Sequence, residues 1–162
     1  MYVDANLMLS GSITGNTVTP QSTFASGASV LSTNTVDLSA GIPAGGTRDL
    51  GEGNDLARGR VEVVTAFTGG TSAEFQVIQS DDAALSVNVT VIGTTGAIPV
   101  ASLVVGARYD IELNARIGSK GQRYLGGRTV NVGANTTGAI IMDIGSEIQD
   151  GQKFYTNGFA VL

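Results

Sequence analysis

The chain has 162 residues, a formal net charge of −5, 42% hydrophobic and only 14% charged residues, 23 glycines, and no cysteine, histidine or tryptophan. That length fits one domain, and the absence of Cys and His excludes disulfides, thiolate metal sites, and Ser-His-Asp or Cys-His catalysis. The acidic balance opposes nucleic-acid binding, which needs clustered Lys and Arg against the phosphates, and no apolar run reaches the roughly 18 residues of a membrane-spanning helix.

The N-terminal MYVDANLMLSGS carries Asp4 and lacks a basic region followed by an apolar run, so it is not expected to act as a secretory signal. Leu9 to Gly46 is rich in Ser, Thr, Gly and Asn, the composition of loops. Residues 1–31 are therefore expected to form an extended polar arm, followed by a short strand in NTVDL around Val36. The next stretch contains Gly45, Gly46, Gly51 and Gly53 but no GxxxxGK[ST], and Asp49, Glu52 and Asp55 would repel a phosphate. Their spacing of three also misses the alternating carboxylates of a calcium loop. The stretch reads as a connection with no assigned metal or cofactor, an incidental cation being all that its acids leave open.

Period-two alternation then sets in, which places every second side chain on one face of a strand. In RVEVVTAF, Val61 and Val63 oppose Arg60 and Glu62; in SAEFQVIQ, Ala73, Phe75 and Val77 oppose Glu74 and Gln76. LSVNVTVI alternates most clearly, with Leu85, Val87, Val89 and Val91 on one side. ASLVV around Leu103, YDIELNA with Tyr109, Ile111 and Leu113 inward, RTVNV around Val130 and AIIMDI from Ile140 to Ile144 complete the set. No segment sustains a helical stripe. Short strands punctuated by Gly, Asn, Ser and Pro predict an all-β fold: a two-sheet antiparallel β-sandwich, and a jelly roll in particular, formed by one domain over 1–162.

No catalytic set emerges. Ser119 and Lys120 are adjacent and point apart in an extended chain, and Asp110 and Glu112 read as the wet face of a strand. The sequons at Asn88 and Asn135 lack a secretory context.

Several segments, in order, resemble the jelly-roll capsid cement (decoration) proteins of tailed bacteriophages: MYVDANLMLSGS, STNTVDLSAGIPAGGTRDLGEGNDL and RYLGGRTVNVGANTTGAIIMDIGSEIQD. The carrying steps are Thr33 to Leu38, Arg48 to Gly51, Arg123 to Leu125 and the turn at Gly133 to Gly138. Gly126 and Gly127 depart from the pattern, where apolar or aromatic residues are expected. The resemblance implies a non-enzymatic virion protein without cofactors, made in the bacterial host cytoplasm and placed on the outer capsid surface. Its partners would be the major capsid protein and itself, as a homo-oligomer and by the family pattern a dimer, with no nucleic acid or membrane. Candidate contacts are Tyr2, Leu7, Leu9, Arg48, Asp49, Arg58, Phe154, Tyr155, Phe159 and Leu162, core burial being the equal alternative for the aromatic residues. The alternative function is a β-sandwich recognition module for glycans or receptors on a virion or cell surface.

Overall fold

The computed structural model describes residues 7–15, 17–23, 29–38, 58–113 and 122–145. Its strands are β1 (Met8–Ser10), β2 (Ser12–Thr14), β3 (Thr17–Thr19), β4 (Gln21–Ser22), β5 (Ser29–Leu31), β6 (Val36–Asp37), β7 (Arg58–Thr68), β8 (Ser72–Ser80), β9 (Thr90–Pro99), β10 (Arg108–Glu112), β11 (Tyr124–Val132) and β12 (Thr137–Gly145). A single 3-10 turn, Val100–Ser102, follows β9.

Two antiparallel sheets face each other. One runs β1-β12-β7-β10 with β4 also on β12; the other runs β5-β11-β8-β9 with β6 also on β11. Taking β1 with β4, and β5 with β6, as two interrupted strands, the described residues give eight strands in the order of a jelly roll. The chain crosses between sheets at every connection except β8 to β9, whose strands are neighbours.

Alternation explains the core. On β7, Val61, Val63 and Phe67 are buried while Arg60 and Glu62 are not, and on β8 Ala73, Phe75 and Val77 alternate with half-buried Glu74 and Gln76. These residues join Leu9, Ile111, Leu125, Ile140, Met142 and Ile144 in one cluster between the sheets. Phe67 meets Phe75 edge to face at 6.1 Å. Each such side chain contributes about 1.5–3 kcal/mol when fully removed from water.

Three expectations change. The polar arm over 1–31 is, in its described part, sheet structure: β1 and β4 lie along β12, and only the β2–β3 hairpin between them stands exposed. ASLVV is not a strand; Leu103 is buried after the 3-10 turn, leaving Val104 and Val105 at 54% and 67% exposure. LSVNVTVI is a strand only from Thr90 onward. Leu85 and Asn88 instead have φ of 56° and 51°, a left-handed conformation that breaks the alternation.

The cause of that break is Asp82. Its carboxylate accepts from Ser86 N at 2.7 Å and Val87 N at 2.9 Å, taking the amides that a ladder would otherwise use. Residues 81–89 therefore fold back, and Leu85 is buried away from the main core, over Gly126.

Gly126 and Gly127, the departure from the expected pattern, pair in unbroken register with Ile78 and Val77. A Cβ at Gly126 would collide with Leu85 Cδ1, and one at Gly127 would lie 2.7 Å from Met142 Sδ on the other face. Replacing Gly126 by Ala is expected to destabilise the protein by roughly 1–3 kcal/mol in urea unfolding. Combined with Leu85→Ala, which vacates the space, the loss should fall short of the sum by about 0.5 kcal/mol or more; strict additivity would show that the two residues do not compete.

Candidate interaction surface

The Thr33 to Leu38 and Arg123 to Leu125 steps, far apart in sequence, meet in the fold. Val36 and Asp37 of β6 pair with Leu125 and Tyr124 of β11. Arg123 donates to Asp37 through Nε at 2.8 Å and a second guanidinium nitrogen at 2.7 Å, a bidentate fork, while its guanidinium lies 5.1 Å from the Tyr124 ring centre. Leu38 N donates to Arg123 O at 2.9 Å.

The residues just before extend this clamp. Ser32 exchanges bonds with Gly127: its amide donates to the Gly127 carbonyl at 2.8 Å and its hydroxyl accepts the Gly127 N–H at 2.8 Å. Asn34 donates to Leu9 O from its backbone at 2.9 Å and to Gly11 O from its side chain at 2.7 Å. Thr33 Oγ1 accepts from Gly11 N at 3.0 Å. STNTVDL thus ties the first strand of one sheet to the centre of the other, satisfying backbone groups that a loop would leave open.

The outward face of β7 and β10 carries a charge ladder. Register places Glu62 opposite Arg108, Arg60 opposite Asp110, and Arg58 opposite Glu112. Arg108 and Glu62 approach to 3.3 Å and Arg60 and Asp110 to 3.7 Å. Such exposed pairs contribute about 0–1 kcal/mol each and set register more than stability. On β12, Asp143 stands opposite Arg60 and is buried. Burial pushes its carboxyl above the ordinary range, opposed by Arg60 and aided by the nearby Glu62.

The 81–89 loop is held by a second carboxylate. Asp82 also accepts from Ser80 Oγ and Ser86 Oγ, each at 2.6 Å. These hydroxyls, Ser80 foremost, then the Val87 and Ser86 amides, hold its carboxyl well below the usual range. Asn88 Nδ2 donates to Asp81 at 2.6 Å, and Gln122 donates to the Asn88 carbonyl. The loop presents Val87 at 47% exposure on a rigid frame. On the outward face of the other sheet, Glu74 accepts from Thr94 and Gln76, whose own amide oxygen accepts from Arg128. Those first two bonds hold the Glu74 carboxyl below its ordinary value.

The candidate contact residues divide sharply. Leu9 is a fully buried member of the core, so its place among surface contacts is corrected: alternation along β1 turns it between the sheets. Leu7 is half-buried and its carbonyl accepts from Ile144 N at 3.0 Å. Arg58 opens β7 on the outward face. Tyr2, Arg48, Asp49, Phe154, Tyr155, Phe159 and Leu162 lie outside the described residues, as do the acids Glu52 and Asp55 and the Ser119–Lys120 pair. Arg58, Glu112, Gly145 and the 81–89 loop sit at one end of the sandwich. At the opposite end the β7–β8 and β11–β12 turns are bonded to each other, Thr136 N to Thr68 O and Thr71 N to Val132 O, each at 2.7 Å. Asn135 of the second sequon is buried there, its amide donating to Asn131, whereas Asn88 of the first is exposed.

Among the described residues no three His, Cys, Asp or Glu side chains gather as metal ligands, and no helix is long and apolar enough to cross a membrane. Asp82 accepts four hydrogen bonds from its own segment, three on Oδ1 and one on Oδ2. Clamp, ladder and loop belong to an antiparallel β-sandwich with the strand order of a jelly roll. Residues 21–144 match the family model described as Bbp16, and the chain belongs to that family. The match runs from β4 into β12 and includes the clamp, the ladder and the 81–89 loop. No curated protein matches the chain.

The two shifted carboxylates titrate with opposite consequences. Asp82, depressed in the folded state, stabilises the fold fully above its unfolded value of about 4, and that stabilisation is lost as pH falls through the lower folded value. Asp143, raised, opposes folding when ionised, and that opposition is relieved as pH falls through its folded value toward about 4. Carboxyl-carbon NMR should show Asp82 titrating below and Asp143 above an ordinary aspartate, and Asp82→Asn should flatten the acid limb of the stability curve. An unchanged acid limb would remove Asp82 as the loop's fastener.

Proposed function

We propose that this protein is a structural, non-enzymatic virion component that binds the outer surface of a tailed-phage capsid and cross-links neighbouring major capsid subunits. The observation that carries the reading is the clamp. The two short steps behind the cement-protein resemblance, Thr33 to Leu38 and Arg123 to Leu125, bind one another through Asp37 and Arg123 within a jelly roll. A pattern shared for that reason reports a shared architecture, which supports the resemblance without by itself naming a partner.

Its mechanism is mechanical. Many copies, each making modest contacts to two shell subunits, raise shell stability because they bind only the assembled surface, and symmetry multiplies the effect. The contact end in this reading is the one at which Arg58 and the 81–89 loop sit, with Arg48, Asp49 and the C-terminal aromatic residues as further candidates from the sequence. Homo-oligomers of the protein, dimers by the family pattern, would extend each bridge, and the acidic net charge keeps it off the packaged nucleic acid.

Purified protein should co-sediment with shells that lack it, saturate at a fixed ratio to the major capsid subunit, and raise the temperature at which the shells disrupt. Absence of saturable binding would defeat the proposal, and selective binding on a glycan array at micromolar protein would favour a recognition module instead.

A further inference from the structure

The ladder on β7 and β10 has three rungs of opposite charge in consecutive register, and only two are closed. Arg108 meets Glu62 at 3.3 Å and Arg60 meets Asp110 at 3.7 Å, whereas Arg58, opposite Glu112, forms no ion pair among the described residues. Among the described residues, Arg60, Arg108, Arg123 and Arg128 each engage an acceptor side chain: Asp110, Glu62, Asp37 and Gln76 in turn. Arg58 has none, and its Nε is buried without a hydrogen-bond partner.

A stripped guanidinium N–H without an acceptor is unfavourable, and a guanidinium cannot relieve that state by losing its proton. An oxygen from outside cannot reach the buried Nε, but the two terminal nitrogens are not buried in this way, and the planar fork they form matches a carboxylate best. Resting on the capsid-binding reading above, we infer that Arg58 is a receptor for a carboxylate side chain of the shell subunit, the open rung of the ladder being closed across the interface.

Three features favour that occupant. Arg58 begins β7 on the outward face, at the end where the 81–89 loop also sits. It is half-buried, so its apolar stem is already held and little side-chain freedom remains to be lost on binding. On the same face Glu62 and Asp110 are already matched by Arg108 and Arg60, so an incoming carboxylate meets at Arg58 the cation whose charge is not taken up by an acid of this ladder.

The test uses the full chain as wild type, Arg58→Ala, Arg58→Lys and Glu112→Gln, with binding to shells lacking the protein measured by sedimentation, and with thermal unfolding and far-UV circular dichroism alongside. Arg58→Ala should weaken shell binding about tenfold or more, with the β signature and unfolding temperature retained. Arg58→Lys, with a charge but no fork, should fall between, and Glu112→Gln should bind as wild type does. Rising salt should weaken wild-type binding more than that of Arg58→Ala.

If wild type binds and Arg58→Ala binds within about twofold of it, the inference about Arg58 fails while the capsid reading stands. Equal losses of unfolding temperature in Arg58→Ala and Glu112→Gln, with binding unchanged, would show that the rung closes within the chain and would also overturn it. Wild-type protein that does not bind shells overturns the capsid reading, and the role of Arg58 falls with it.

Discussion

Everything in this sandwich leans on one strand being bare at two consecutive positions. Gly126 and Gly127 let β11 be approached from both faces, by Leu85 outside and by Met142 and Ser32 inside. Side chains there would hold the 81–89 loop off the sheet and push the facing sheet away. The entropic cost of two glycines in a strand, of order 0.5–1 kcal/mol each, is offset by the close packing they permit.

From β11 the rest of the architecture is hung. Its Gly127 exchanges hydrogen bonds with Ser32, its first residues pair with β6, and the Asp37–Arg123 fork locks that junction. Through Thr33 and Asn34 the same segment reaches Leu9 and Gly11 in the opposite sheet. The clamp therefore fixes how the sheets meet at their edge, and the hydrophobic cluster fixes how far apart they stand. The β7–β8 and β11–β12 turns sit at one end of the sandwich, and Arg58 and the 81–89 loop at the other.

Charge is distributed in keeping with this. Asp82 spends its carboxylate on local amides and hydroxyls and so shapes a loop; Asp37 spends its own on Arg123 and joins two strands. The β7–β10 ladder favours register with alternating charges that cost little when exposed, and its unfilled rung at Arg58 is the one cation among the described residues with no acceptor side chain.

Alternation in RVEVVTAF, SAEFQVIQ and YDIELNA was enough to place Val61, Val63, Phe75, Val77 and Ile111 in the core, because a period of two can bury only one face of a strand. The same rule misread LSVNVTVI, where four hydrogen bonds to Asp82 outcompete a ladder; the strand expected around Val36 is there, but nothing signalled the strand at Ser29–Leu31 or the clamp. The ordered STNTVDL and RYL steps were legible as a resemblance, but their contact was not, since Asp37 and Arg123 are 86 positions apart. Sequence by itself determined the all-β class, the strand faces and the absence of histidine or cysteine chemistry, all of which follow from local pattern and composition. Tertiary structure alone decided that Leu9 is core, that a Cβ at Gly126 or Gly127 would crowd Leu85 or Met142, and that Arg58 meets no acid among the described residues, because each depends on atoms brought together from distant strands.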